Sequence, residues 1–214
     1  MTARRITASL LATVLLAALP AGLLAAEEKK AEAKKDEAFR PLLDEGLSKW
    51  KADEKLKEHW TLEGDVLKYD GKAGHLWTKE SFEDFVLKVD WRLPAKGDSG
   101  IYLRGMSKAQ CNIWVNKLGS GEVWGYRVDE NQPEDIRKAC TPSKVADKPV
   151  GEWNTFVITM KGDRLTVVLN GEEVISEARL PDVKPSGPIA LQHHGNPIEF
   201  RNIVIKELGE KKAK

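Results

Sequence analysis

The sequence predicts an all-β fold, specifically an antiparallel two-sheet sandwich of the jelly-roll type. Apolar and polar residues alternate over many short runs, and turn-forming residues separate these runs at intervals of about eight to twelve positions. No convincing amphipathic helix follows the first residues of the chain. About eleven such runs fit the strand content of a jelly roll, and no internal repeat points to a propeller.

The clearest strand runs from Phe85 to Leu93. Its apolar residues fall at every second position with charged residues between them, as in a strand with one buried face. A loop follows, and residues 99–104 alternate again, so that Tyr102 and Arg104 face away from Ile101. We therefore expect Tyr102 and Arg104 on a polar face of the sheet that recognises a ligand.

Further strands are predicted on both sides of this pair. Asn170-Gly171 between two apolar runs predicts a tight hairpin, because both residues tolerate a positive φ. Residues 129–149 form the longest irregular stretch, with a weak helical signal at 133–139, where a proline stands at the start. The other predicted strands are 60–62, 66–69, 76–78, 111–115, 123–128, 153–160, 165–169, 174–175, 189–192 and 200–205.

Residues 1–26 have the pattern of a secretory signal peptide. Arg4 and Arg5 precede an apolar run from Ile6 to Leu19, and small residues end the segment at Ala26. An uncleaved membrane anchor is the alternative, although polar residues dilute the apolar run. The signal peptide predicts a periplasmic or secreted protein with no integral membrane association after cleavage.

The remainder divides into a charged flexible linker (27–38), one β-sandwich domain (39–208) and a charged tail (209–214). Without the signal peptide the chain has 32 basic and 33 acidic side chains. Because a nucleic-acid-binding surface needs clustered positive charge, this balance argues against a nucleic-acid partner.

The two cysteines, Cys111 and Cys140, leave two alternatives open. An exported protein permits a disulfide between them, and two buried free thiols are equally compatible with the sequence. A catalytic thiol is not favoured, since no neighbouring residue would lower its pKa.

Several polar and aromatic residues are candidates for a site. His193 and His194 are adjacent, so strand geometry sends them to opposite faces and at most one faces a site. Arg104 suits sugar oxygens, with a salt bridge as the alternative; Asp98 is either a turn residue or a site residue. Exposed tryptophans stack on sugar rings, and Trp77, Trp114 and Trp124 are either such platforms or core. No known metal motif is present.

Three ordered segments carry a family resemblance: DFVLKVDWRLPAKGDSGIYLRG, KPVGEWNTFVITMKGDRLTVVLNGEEV and IALQHHGNPIEFRNIVIKEL. Over about residues 39–208 the chain resembles the 3-keto-disaccharide hydrolase-like domain family. The resemblance implies a concanavalin A-like lectin/glucanase fold and an exported hydrolase or lyase. The implied substrate is a glycan or disaccharide whose C3 hydroxyl has been oxidised to a ketone.

Such a ketone acidifies the hydrogen on C2, so a base can remove it while a donor stabilises the enolate and the C1 substituent leaves. For the reaction that the resemblance implies, we expect Arg104 to bind the enolate oxygen or a sugar hydroxyl, His194 to act as the base and Gln192 to position a hydroxyl. The resemblance implies no certain cofactor, although a divalent metal fits the chemistry. The implied substrate contacts are Asp98, Tyr102, Gln110, Asn112, Trp114, Gln192 and His193.

One strand departs from the family pattern. Where the family usually carries Glu or Gln, an apolar residue and Gln-Ile, often with an acid behind them, this chain has Gln110, Cys111, Asn112 and Ile113. The expected acid is missing, and Asp98 replaces the usual Asn. The competing prediction is therefore a non-catalytic carbohydrate-binding module of the cell envelope, and a structural envelope protein is a third.

Overall fold

The computed structural model describes residues 38–209. The predicted signal peptide (1–26), nearly all of the predicted linker and nearly all of the predicted tail lie outside these residues, so these boundaries stay predictions. Within the described part of the chain, no helix is both long enough and apolar enough to cross a membrane.

Residues 38–209 contain twelve β-strands in two antiparallel sheets, which confirms the predicted sandwich. Three short helices lie among them: α1 (Glu54–Lys57), α2 (Trp124–Arg127) and α3 (Glu134–Ala139). The strands are β1 (Arg40–Pro41), β2 (Trp60–Glu63), β3 (Val66–Tyr69), β4 (Leu76–Trp77), β5 (Phe85–Arg92), β6 (Asp98–Leu103), β7 (Met106–Trp114), β8 (Asn154–Lys161), β9 (Arg164–Leu169), β10 (Glu172–Arg179), β11 (Ala190–Leu191) and β12 (Ile198–Glu207).

The larger sheet has eight strands, in the order β10-β9-β8-β5-β12-β3-β2, with β1 paired to β12. The smaller sheet has four, in the order β4-β11-β6-β7. β5, the strand predicted most clearly, is paired on both sides, by β8 and β12. The strand–loop–strand segment therefore links the sheets, since β5 belongs to the larger one and β6 to the smaller one.

The core is built from the alternating apolar residues of both sheets. In β5, Phe85 and Leu87 are at most 1% exposed. In the smaller sheet, Ile101 of β6 and Cys111 of β7 are fully buried and are register partners. Because side chains alternate across a strand, the residues next to them face away from the core. This alternation creates the outer face of the smaller sheet.

The hairpin predicted at Asn170-Gly171 is present between β9 and β10. Asn170 has φ 53° and Gly171 has φ 87°, the pair of positive values that a type I′ turn requires. The Asn170 side chain also bonds the neighbouring strand, accepting from the Thr155 backbone N–H at 2.9 Å. The turn is therefore held by both its backbone and its side chain.

The strand predicted at 123–128 is wrong: residues Trp124–Arg127 form the helical turn α2. The backbone N–H groups of Tyr126 and Arg127 donate to the Val123 carbonyl, at 3.0 and 2.9 Å. Gly125 presses against β7, where a Cβ would lie 2.5 Å from the Lys108 carbonyl oxygen. Close packing thus overrides the strand preference of the sequence. The weak helical signal at 133–139 is present as α3.

Cys111 and Cys140 are both buried and both free. Of the two alternatives that the sequence leaves open, the structure shows buried thiols rather than a disulfide. Burial raises the pKa of the Cys140 thiol to about 12 and raises that of Cys111 further still. A thiol held protonated in this way does not act as a nucleophile at neutral pH.

Candidate functional site

The outer face of the smaller sheet carries a row of polar residues where two strands pair. Tyr102 of β6 is the register partner of Gln110 of β7, and Gly100 is the partner of Asn112. The Gln192 backbone N–H donates to the Gly100 carbonyl at 2.8 Å, which extends β11 beside them. Since these residues alternate with core residues, their side chains share one face.

A pocket of about 110 Å³ opens on this face. Five of the six residues that line it were predicted as site residues from the sequence, and the sixth, Trp124, was predicted as one of three possible stacking platforms. The structure thus brings together residues that are far apart in the chain. The lining residues are Asp98, Gln110, Asn112, Trp124, Gln192 and His194.

The three amides at the floor of the pocket form a hydrogen-bonded row. Gln110 Nε2 lies 2.9 Å from Asn112 Oδ1 and 2.9 Å from Gln192 Oε1. All three side chains are at most 7% exposed. Because buried polar groups are costly when unpaired, these bonds hold the amides in one arrangement.

Glu122 stands beneath this row, and sequence reasoning missed it. It is fully buried, and Asn112 Nδ2 donates to its Oε1 at 2.8 Å. The other carboxylate oxygen accepts from Arg127 Nε. A buried carboxylate needs such partners, and here a guanidinium and an amide supply them.

The backbone explains why Glu122 lies there. The Asn112 N–H donates to the Glu122 carbonyl at 2.9 Å, and the Gly121 N–H donates to the Asn112 carbonyl at 2.8 Å. Residues 121–123 thus extend the sheet at the edge of β7. The only sequence signal was a lone acid after Gly119-Ser120-Gly121, and no periodicity could show that it pairs beside Asn112.

Asp98 faces the pocket from the start of β6, and its backbone N–H donates to Asn196 Oδ1 at 3.2 Å. Burial raises the pKa of its carboxyl group; nearby His194 opposes the shift, and the charge of Glu122 adds to it. A carboxyl whose pKa moves toward neutrality is better matched to proton transfer at physiological pH.

The two adjacent histidines point in different directions. His194 is exposed and lines the pocket. His193 turns to the other side, where its ring contacts the Tyr69 hydroxyl and its backbone N–H donates to His75 Nδ1 at 2.9 Å. The two side chains therefore belong to different surroundings, and only His194 reaches the pocket.

Two predicted substrate contacts lie beside the pocket rather than in its lining. Tyr102 is only 6% exposed and packs against His75 and Trp77, with ring centroids 5.1 and 5.9 Å away. Burial raises its pKa, and its contact with Gln192 acts in the opposite direction. Trp114 is 41% exposed and is the register partner of Asp98.

Arg104 does not lie on the face predicted for it. It follows the last residue of β6 and has φ 49°, so strand alternation no longer sets its direction. Its guanidinium is 1% exposed and is fully engaged: Nε donates to the Glu83 carbonyl at 2.7 Å, and Nη2 pairs with Asp84 at 2.9 Å. Nη1 donates to the Gly162 and Lys184 carbonyls at 2.7 and 3.0 Å.

The structure thus gives Arg104 the alternative role, a salt bridge, together with three backbone contacts. It borders a separate cleft of about 500 Å³, which also contacts Lys51, Trp77 and Lys184 and shares no lining residue with the pocket. We therefore correct the sequence-based grouping of Arg104 with Gln110, Asn112, Gln192 and His194.

No metal centre follows from the geometry of the described residues. Within residues 38–209, no three His, Cys, Asp or Glu side chains are grouped in a way that could hold a metal ion.

A family model matches the chain over residues 38–206, and its description is 3-keto-alpha-glucoside-1,2-lyase-like domain. The chain belongs to this family. The match covers both sheets and every residue of the pocket. It agrees with the resemblance carried by the three sequence segments.

The fold of this 3-keto-alpha-glucoside-1,2-lyase-like domain is similar to that of several solved structures. A proposed glycosyl hydrolase from Parabacteroides distasonis is 25% identical, has a TM-score of 0.63, and is matched over 79% of this chain and 84% of its own. A second proposed glycosyl hydrolase from the same organism is 22% identical, with a TM-score of 0.65 over 80% and 100% of the two chains. No curated protein sequence matches the chain.

A carboxylate does contact β7 in the folded chain, although it is ten residues away from Asn112 in the sequence. Glu122 places a carboxylate against Asn112 from the adjoining edge of the sheet.

Proposed function

We propose that this chain is a carbohydrate-active enzyme that cleaves 3-keto-glycosides by elimination followed by hydration. Its membership of the 3-keto-alpha-glucoside-1,2-lyase-like family and its 25% identity to a proposed glycosyl hydrolase support a carbohydrate substrate. The finer proposal, a substrate oxidised at C3, takes its chemistry from the family's description.

One observation carries the proposal: Asp98 and His194, two groups that transfer protons, line the same small pocket as three side-chain amides. Elimination needs a base for the C2 hydrogen, a donor for the enolate oxygen and an acid for the leaving group. The pocket supplies a residue of each kind.

In this mechanism Asp98, and not His194 as expected from the sequence, removes the proton from C2, because its raised pKa makes it a stronger base than an ordinary carboxylate. The electron pair moves onto the C3 oxygen, which accepts a hydrogen bond from an amide N–H of the pocket floor. His194 protonates the departing oxygen on C1. Water then adds to the unsaturated product, and the two proton transfers run in reverse.

The proposal includes export. Residues 1–26 carry the pattern of a signal peptide, and a periplasmic or secreted enzyme would meet oxidised glycosides outside the cytoplasm. Comparing the mass of the N-terminus in cell extract and in the exported fraction tests this part separately.

Activity is tested with a nitrophenyl 3-keto-glucoside and the corresponding nitrophenyl glucoside. We expect nitrophenol release from the keto compound alone, because only a ketone acidifies the C2 hydrogen. Asp98→Asn should lower kcat about 10²- to 10⁴-fold, the usual contribution of a positioned base. Asp65→Asn, at an exposed turn, is the matched control and should leave the rate unchanged. Equal release by Asp98→Asn and the unaltered chain would refute the role of Asp98.

A non-catalytic carbohydrate-binding module is the second candidate. Exposed aromatic rings favour it: Trp114 is 41% and Trp124 is 45% exposed, and both stand near Asp98. Such rings stack on sugar faces. Binding of the keto-glucoside by calorimetry, with no nitrophenol released, would select this function.

A further inference from the structure

The pocket rests on a continuous chain of buried hydrogen bonds. Arg127 contacts Glu122, Glu122 contacts Asn112, Asn112 contacts Gln110, and Gln110 contacts Gln192. The three bonds after the ion pair measure 2.8, 2.9 and 2.9 Å. Four of the five members are at most 7% exposed, so water does not replace these contacts.

The ion pair determines whether each amide in this chain of hydrogen bonds turns its NH₂ group or its oxygen toward a given neighbour. A carboxylate only accepts hydrogen bonds, and the two oxygens of Glu122 accept from Asn112 Nδ2 and from Arg127 Nε. Asn112 must therefore turn its NH₂ group toward Glu122. Its amide oxygen then faces Gln110, which has to present an NH₂ group in return.

The same logic continues to the last member. The two N–H bonds of Gln110 Nε2 are taken by Asn112 Oδ1 and Gln192 Oε1. The amide oxygen of Gln192 therefore accepts the hydrogen bond from Gln110, and its NH₂ group is left to donate to Tyr102 and toward the pocket. A donor, not an acceptor, is offered to a ligand at this position.

We propose that the Glu122–Arg127 pair acts as a positioning pair that fixes Gln192 as a hydrogen-bond donor and so makes the pocket select a ring ketone over a hydroxyl. The inference rests on the proposed function. A ketone oxygen only accepts hydrogen bonds, whereas a hydroxyl in the same place brings an O–H that would have to find its own acceptor. A site built around one such partner rejects the wrong group about tenfold or more.

Glu122→Gln replaces the carboxylate, which can only accept hydrogen bonds, by an amide of almost the same shape that can also donate. A glutamine at this position can donate to Asn112 Oδ1, so every amide along the chain can turn over. In the reversed chain Gln192 points its oxygen into the pocket, which favours a hydroxyl. Arg127→Lys keeps a positive charge beside Glu122 and should preserve the original orientation of the amides.

The test compares the dissociation constants of free 3-keto-glucose and glucose, two sugars with no glycosidic bond to cleave, by calorimetry. For the unaltered protein we expect the keto sugar to bind at least about tenfold more tightly. Glu122→Gln should bring the ratio of the two constants to about one or below. Arg127→Lys and the exposed control Glu130→Gln should keep the original ratio.

A folded Glu122→Gln protein with the original ratio overturns the inference. If that variant does not fold, Gln192→Glu decides: it keeps an acceptor for Gln110 but removes the donor, so loss of keto selectivity supports the inference and retained selectivity overturns it. If the unaltered protein binds both sugars equally but still turns over keto-glycosides, the inference is overturned and the proposed function stands. Absence of both binding and turnover overturns the proposed function with it.

Discussion

Gly100 lies directly beneath the side chain of Gln110, so close that a Cβ on Gly100 would stand 2.5 Å from Nε2 of Gln110. Real Cβ contacts are longer, so Gly100→Ala must displace the amide from its bonds with Asn112 and Gln192. We expect kcat/KM on a keto-glucoside to fall about 10- to 100-fold, as when one oriented hydrogen-bonding group is lost.

The clash in Gly100→Ala involves Nε2, Cγ and Cδ of the buried Gln110 side chain, so the melting temperature should fall together with the activity. Gly74→Ala is the control, since nothing lies within 4 Å of a Cβ there. Steady-state kinetics and thermal melts on both variants measure the two effects. Normal kcat/KM in Gly100→Ala would mean that Gln110 has no part in the site.

Asp98→Asn should stabilise the protein at neutral pH while it lowers activity. The folded-state pKa of Asp98 is raised, chiefly by burial, so its protonated form is the one favoured by folding. That contribution is complete below the unfolded pKa and is lost as pH rises through the folded pKa. A neutral amide does not ionise, so Asp98→Asn avoids the loss of stability that occurs when the Asp98 carboxyl ionises in the folded protein.

The melting temperature of Asp98→Asn should therefore exceed that of the unaltered protein at pH 7, and the gain should vanish near pH 3. Thermal melts across this interval test the sign. Such a gain in stability at the expense of activity is typical of a strained functional group. A lower melting temperature at pH 7 would contradict the raised pKa.

His194→Gln should shift the pH dependence of the reaction. Burial raises the pKa of Asp98 and His194 opposes that shift, so removing the imidazole should raise this pKa further. If Asp98 acts as the base, the acidic limb of kcat/KM moves to higher pH. The pH profile is measured with the nitrophenyl keto-glucoside. His59→Gln is the control, because His59 lies outside the pocket. An acidic limb that does not move would show that His194 does not influence the pKa of Asp98.

The sandwich was predictable because its signals are local. Alternation in β5 and the Asn170-Gly171 turn each depend on a few neighbouring residues. The short helix at Trp124–Arg127 was not predictable, because its cause is the packing of Gly125 on Lys108, a contact between distant parts of the chain. Local sequence there favours a strand.

The candidate site was predictable only in part for the same reason. Gln110 and Asn112 could be placed on one face by their spacing of two. Glu122 joins them through backbone bonds at a sheet edge, which no spacing reveals. The prediction for Arg104 was wrong because it relied on strand alternation to set the direction of the side chain. The positive φ of Arg104 interrupts that alternation.

Cys111 and Cys140 should resist thiol reagents in the folded protein. Both are fully buried, and burial raises the pKa of Cys140 to about 12, so almost no thiolate forms at pH 8. We expect no rapid reaction with a disulfide reagent under native conditions and reaction of two thiols after denaturation. A mass two daltons lower before reduction would reveal a disulfide instead.

Arg104→Ala should reduce stability strongly without changing the chemistry of folded molecules. The substitution leaves the carbonyls of Glu83, Gly162 and Lys184 without their donor and removes the partner of Asp84. Arg104 itself is 1% exposed, whereas Glu83, Gly162 and Lys184 are exposed residues whose carbonyls water can reach. The loss therefore comes from four hydrogen bonds of a charged donor, at about 0.5–1.5 kcal/mol each, together about 3 kcal/mol. Arg104 does not line the pocket, so it makes no contact that catalysis would lose.

Denaturant unfolding measures the loss of stability in Arg104→Ala, and kcat per folded molecule tests the chemistry. Arg179→Ala is the matched control: its guanidinium bonds Asp163 at 2.9 Å, but the two side chains are 58% and 45% exposed, and such surface pairs contribute at most about 1 kcal/mol. If folded Arg104→Ala loses kcat about 10²-fold while its stability is unchanged, Arg104 acts on the substrate and the structural role assigned to it is wrong.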